Sequence, residues 1–183
     1  AKIDRLSIAD KIIINEINPS ERLELGPFSI DFTPLTHSTA EMNGLMIRTR
    51  LGNIFHTGDW KFDDDPIIGQ KADEEALKKL GDEGILALIG DSTNVFSPGT
   101  SGSEGELATS LAEIVAGCKQ LVCVTTFASN VARVQSIADA AIKAGRRVAV
   151  LGRSLWRIID TAQSSGYLEG YEFLTDNQLK GVA

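Results

Sequence analysis

The chain has 183 residues, 43% of them hydrophobic and 23% charged, a composition that excludes disordered, collagen-like and coiled-coil proteins and suffices for one domain or two small ones. Twenty-five acidic against 18 basic residues give a net charge of −7, so diffuse basic charge cannot hold nucleic acid and any such contact must be local. No window approaches the ~18 apolar residues of a membrane span, and the first twenty residues lack the basic-then-apolar order of a secretion signal; the expected location is the cytoplasm, with no membrane partner.

In chain order, β signals dominate first. IIINEI from Ile12 reads as a strand, and RLEL from Arg22, the turn Gly26-Pro27 and the near-alternating FSIDFTPL from Phe28 read as a hairpin. GLMIRT and NIFHTGD, separated by Arg50, Leu51 and Gly52, form a second hairpin running into Asp59. DEEALKKL is a short helix ending at Gly81, and ILALIG from Ile85 looks like a strand buried on both faces. The Gly/Ser/Pro-rich stretch from Ser97 to Glu106 is the expected boundary, which divides the chain into residues 1–100 and 101–183.

Beyond it, Ser103-x-x-Glu106 is a capping box opening a helix that ends near Gly117. LVCVTT reads as a buried strand, FASN as a loop, and Val131 to Ala144 as a helix with Val131, Val134, Ile137 and Ala141 on one face. The strand RVAVLG, the loop Arg153-Ser154 and a helix to Gly166 follow. This βαβα order implies parallel strands in an α/β fold, with functional loops at their carboxyl ends. Cys118 and Cys123 are spaced too widely for a redox pair and are expected to be reduced, buried thiols.

His37 and His56 are the two histidines. His37 follows one strand and Asp59 ends another, and two strand ends of one hairpin can bring both side chains to one rim. Imidazole nitrogen and carboxylate oxygen suit zinc or manganese, and a carboxylate can bridge two ions; a hydrogen-bonded structural pair is the plainer alternative. Alternation along the strand turns His56 away from Asp59, which assigns it to the surroundings of the site or to the core. Trp60 and Phe62 read as packing groups, and Asp63, Asp64 and Asp65 as a solvated turn before Pro66.

The words LTHSTAEMNGLMIRT, NIFHTGDWKFD, IGDSTN, TFASNVARVQ and VLGRS occur in an order that resembles bacterial ribonuclease J, from about Arg22 to Leu168. The resemblance implies a metallo-β-lactamase fold with an inserted β-CASP domain: here the second part of an αββα sandwich over residues 1–100, then the start of a Rossmann-like β-CASP domain over 101–183. His37 in THS and Asp59 in HTGD match the family's third and fourth metal motifs, with Asp59 bridging two ions. Asp91 in GDSTN matches the first β-CASP motif, whose acidic residue lies at the active-site rim and is counted with Asp59 as catalytic. Ser129 and Asn130 in TFASN, with Arg153 and Ser154 in GRS, match loops that line the RNA path and bind phosphate. Loops joining a strand to a helix also present free N–H groups to an anion; helix N-capping by Asn130 and Ser154 is the alternative.

The implied reaction is hydrolysis of RNA by a hydroxide held between two metal ions, zinc or manganese, in a parent that is a homo-oligomer. The family's upstream H-x-H-x-D-H motif and its later histidines are not in this sequence, and Ala132 stands where many relatives carry histidine. The chain, which starts at Ala1, therefore reads as an internal segment, inactive by itself. A small-molecule metallo-hydrolase and a non-catalytic binding or assembly module of the same fold are the alternatives.

Overall fold

The computed structural model describes residues 11–179. Residues 12–17, expected as a strand, join no ladder, and Ile13 is 87% exposed: β-branched composition gives a strand only where a neighbour accepts its hydrogen bonds. The first hairpin forms as expected, β1 (Leu23–Leu25) against β2 (Phe28–Pro34), with Leu25 opposite Phe28. Gly26 between them has φ +59 and takes the first central position of the turn, which type II′ hairpins reserve for glycine.

The second hairpin pairs β3 (Asn43–Thr49) with β4 (Gly52–His56) around Arg50 and Leu51, and Gly52 is already the first strand residue. β3 also pairs antiparallel with β2. The helix α1 (Glu74–Asp82), capped by the Asp73 carboxylate on the Ala76 N–H at 3.0 Å, runs through Gly81 and carries the chain to β5 (Ala87–Ile89), parallel to β4. The five strands lie in the order β1-β2-β3-β4-β5. Met46 is fully buried, and Phe55 is nearly so. β5 contradicts the expectation of burial on both faces: all three residues are exposed, and Leu88 is 68% accessible. It has a hydrogen-bonding neighbour on one side, and no described layer covers it.

A ladder of ion pairs ties the sheet to α1. Asp31 receives two hydrogen bonds from Arg22, at 2.7 and 2.9 Å, and one from Arg48 at 2.6 Å, while Arg48 also holds Glu83 at 2.7 and 2.9 Å. The Arg22 bonds, with those of Arg48, hold the Asp31 carboxyl down at about 2 against the ordinary 3.8.

The remaining elements are helical with one small parallel sheet: α2 (Glu104–Gly117), α3 (Val131–Lys143), β6 (Val148–Ala149), α4 (Arg153–Ser164), β7 (Phe173–Leu174) and α5 (Asp176–Leu179). α2 lies on α3, and β6 pairs in parallel with β7 across α4. The α/β class and the parallel strands thus stand. Residues 121–126, expected as a buried strand, make no ladder, and Leu121 is 86% exposed. Both cysteines are free, but Cys123 is exposed and Cys118 half-buried, since the segment carrying Cys123 has no partner strand to bury it.

Ile159 is the centre of a cluster formed by Val131, Ala132, Val134, Val150, Ala162 and Leu168. Ile67 and Ile68, from before the glycine-rich stretch, pack into this same cluster, and the Tyr167 hydroxyl donates to Glu41 at 3.1 Å. The two parts of the chain therefore share apolar contacts across the expected boundary.

Candidate functional site

β2, β4 and β5 all run in one direction, because β3 is antiparallel to both β2 and β4 while β5 is parallel to β4. Their carboxyl ends consequently meet at one edge of the sheet. Leu35, Thr36 and His37 follow β2; Thr57, Gly58 and Asp59 follow β4; Gly90 and Asp91 follow β5. The rim is built from parallel strands on either side of β3, rather than from the two ends of one hairpin.

Backbone and hydroxyl bonds fix the three segments together. Lys61 donates its N–H to the Thr36 carbonyl at 2.9 Å, and the Thr36 hydroxyl donates back to the Lys61 carbonyl. Thr57 donates to the Ile89 carbonyl at 2.9 Å, and its buried hydroxyl accepts the Asp91 N–H at 3.1 Å. The Trp60 indole donates to the Asp91 carbonyl at 3.3 Å, which accords with a packing role for that ring; Phe62 meets it edge-on at 5.1 Å but stays 54% exposed. Gly58 has φ +63, a left-handed conformation that favours glycine in the turn into Asp59, and a Cβ there would also displace the Met42 methyl.

The Asp59 side chain is exposed on this rim, and His37 is half-buried with its Nδ1 3.3 Å from the Ser38 hydroxyl. The Asp91 carboxylate accepts the Thr93 hydroxyl and, at 3.0 Å, the Thr93 N–H. Those bonds hold its pKa below the usual range, with a smaller electrostatic contribution from His37. His56 is not a core residue: it is exposed, and its Nδ1 accepts the Gly58 N–H at 3.0 Å, which shapes the turn into Asp59 and places its proton on Nε2.

The donor chemistry of His37 and Asp59 suits a divalent ion, yet among the described residues no three His, Cys, Asp or Glu side chains gather to hold one. Two donors fall short of the four that zinc takes. Asp91 shares the rim without closing the set. Among the described residues, His37, Asp59 and Asp91 do not by themselves complete a metal centre.

The second group of candidate residues sits at helix starts. Asn130 caps α3, its side-chain oxygen accepting the Arg133 N–H at 2.8 Å, beside an exposed Ser129. Arg153 and Ser154 are not a loop but the exposed first turn of α4. Gly152, at φ +107, precedes that helix and no side chain caps it, so Ser154 is not a cap. Ala132 is buried against Ile159 and its neighbours.

Asp64 and Asp65 form the expected exposed turn, but Asp63 departs from it. Asp63 is buried and accepts the Glu104 N–H at 3.0 Å, the Asp65 N–H at 3.0 Å and the Lys61 ammonium at 3.0 Å. Burial alone would raise its pKa, but these bonds outweigh that and bring it to about 2. Asp63 and Ser103, which accepts the Gly105 N–H at 3.0 Å, together satisfy the start of α2. Lys61, Glu104 and Arg133 join this cluster; local pattern gave no sign of it, because its members are brought together from three separate segments.

Residues 119–182 match the family model described as "Ribonuclease J, beta-CASP domain". Over 169 residues the chain is 43% identical to ribonuclease J of Sinorhizobium meliloti, covering 92% of this chain and 30% of that protein. It is 44% identical over 154 residues to ribonuclease J of Corynebacterium glutamicum, covering 84% of this chain and 21% of that protein. The ribonuclease J of Thermus thermophilus is 41% identical over 157 residues, 85% of this chain and 27% of its own length. A crystal structure of a protein of unknown function from Enterococcus faecalis V583 shares the fold, with a TM-score of 0.61 at 18% identity over 92% of this chain and 43% of that one. The chain spans less than a third of the length of these curated relatives. Over that span its sequence is similar to the curated ribonuclease J proteins, and residues 119–182 carry the β-CASP match.

Proposed function

We propose that this chain is part of an RNA-hydrolysing enzyme of the ribonuclease J type and supplies one side of its active site. The observation that carries the reading is the rim at the carboxyl ends of β2, β4 and β5, where His37, Asp59 and Asp91 follow three strands of one sheet. The similarity to proteins named ribonuclease J supports RNA as the substrate. His37 and Asp59 would offer an imidazole nitrogen and a carboxylate to zinc or manganese, and such an ion, when bound, supplies an activated water and neutralises phosphate charge. Asp91 orients groups at the rim or carries a proton. Ser129, Asn130, Arg153 and Ser154 would face the RNA backbone, and the uncapped first turn of α4 supports an anion there.

We assign residues 1–100 to the second part of the metallo-β-lactamase domain and 101–183 to the first part of the β-CASP domain. In keeping with this, the five-stranded sheet lies within the former and the β6–β7 pair within the latter. The working protein is cytoplasmic and a homo-oligomer. No described helix is long and apolar enough to cross a membrane.

The test is Asp59→Ala in the ribonuclease that carries this segment. RNA cleavage should fall on the order of 100-fold or more, since even groups behind metal ligands cost 10- to 100-fold; undiminished cleavage would overturn the assignment. Elemental analysis of the 183-residue chain alone should find less than one tightly held ion, and a screen of small esters and lactams should find no turnover.

A further inference from the structure

Four charged side chains from three segments meet in one shielded cluster, and its position suggests more than stability. Glu104, the first residue of α2, has a side chain only 10% exposed and lies between two cations: Lys61 Nζ at 3.5 Å and Arg133, whose Nη2 and Nε reach it at 3.2 and 3.3 Å. Lys61 also holds Asp63 at 3.0 Å, and Asp63 accepts the Glu104 N–H at 3.0 Å. Two carboxylates and two cations alternate, so the cluster is neutral and each carboxylate has more than one donor.

Each cation is tied to a different part of the candidate site. The Lys61 backbone exchanges hydrogen bonds with Thr36, next to His37, and Lys61 lies two residues beyond Asp59. The Arg133 N–H is held by the Asn130 side chain that caps α3. A continuous series of bonded groups therefore runs from the His37 and Asp59 rim through Glu104 to the loop of Ser129 and Asn130. A buried ion cluster is weak evidence for added stability, and its better-attested use is to fix one arrangement among several.

We propose that Glu104 is a positioning residue: by holding Lys61 and Arg133 together, it sets the Asp59 rim and the Asn130 loop at the spacing that one RNA strand must span. This rests on the functional reading above and adds a coupling between the two halves of the site. Neither Glu104 nor Arg133 touches the reacting phosphate in this scheme.

In the ribonuclease carrying this segment, Glu104→Gln and Arg133→Gln should each raise KM for RNA about tenfold while kcat changes less than about threefold. Arg133→Lys keeps the cation and should stay within about threefold of the unsubstituted enzyme. Deuterium exchange without RNA gives an independent readout: Arg133→Gln should increase uptake at residues 59–63 as well as at 129–133. Increased uptake confined to 129–133 would overturn the coupling. So would a lower KM for Glu104→Gln beside a higher one for Arg133→Gln, since that pattern means Arg133 binds RNA directly and Glu104 competes for it. If Arg133→Gln fails to fold, Glu104→Asp, which keeps the charge and shortens the reach, puts the same question to exchange. If the unsubstituted protein leaves RNA intact, the functional reading fails, while the exchange result still decides the coupling.

Discussion

The β2–β3–β4 ladder and the segments at β5 and 121–126 are comparably apolar in sequence and opposite in fate. Ile30, Met46 and Phe55 sit on strands with neighbours in register, and Met46 is wholly excluded from solvent. Leu88 on β5 and Leu121 in the later segment stay 68% and 86% exposed. The difference lies in what stands beside each segment. An apolar run is buried only when a paired strand and a covering layer both exist, and β5 has a single strand neighbour while 121–126 has none among the described residues.

The strongest way to test this contrast is cavity formation. Met46→Ala and Ile159→Ala should each destabilise the chain by about 2–5 kcal/mol in denaturant titrations, the range for deleting a filled core side chain. Because Ile67 and Ile68 pack on the Ile159 cluster, both substitutions should lower one shared transition; two separated transitions would show that the halves melt independently.

Acid should act next. Asp31 and Asp63 titrate at about 2 in the folded chain against an ordinary 3.8. Each carboxyl is depressed by folding, so its stabilisation is complete above 3.8 and disappears as the pH falls towards 2. For Asp63, with a side chain 1% exposed, the loss should be on the order of 2 kcal/mol; for Asp31, more exposed, it should be about 1 kcal/mol. Melting curves from pH 5 down to pH 2 would measure both, and Asp63→Asn should flatten the dependence more than Asp31→Asn.

Smaller still is the contrast between the two helix starts. Asn130→Ala removes a cap and should cost about 1 kcal/mol, whereas Ser154→Ala, where no cap bond exists, should leave the melting temperature within error. The smallest stability effect belongs to the exposed apolar residues: Leu88→Ser and Leu121→Ser should change stability by less than about 0.5 kcal/mol. Their readout is association instead. Light scattering of the 183-residue chain should show self-association that the double substitution reduces, since unpaired edges and apolar patches are what such contacts use.

Elements whose signal is local were legible from residue order: the Gly26-Pro27 turn, the hairpin around Arg50 and Leu51, the Ser103 cap and the amphipathic α3 all lie where pattern and turn chemistry put them. The candidate residues His37, Asp59 and Asp91 were also named in advance, from motif words rather than periodicity, and strand direction supplies the reason they share a rim. Arg153 and Ser154 fell one element off because Gly152, not a side chain, starts α4.

What sequence alone determined here is a set of turns, caps and amphipathic faces and the family-like order of its motifs, since these features depend on residues within a few positions of one another. Only the tertiary structure decided burial and partnership. Asp63 became a buried anion instead of a solvated turn because Lys61 and the Glu104 N–H reach it, and Leu121 remained in water because no strand lies beside it. Hydrogen-bond partners and covering layers come from distant segments, so the free energy that fixes such residues is absent from any local window of the chain.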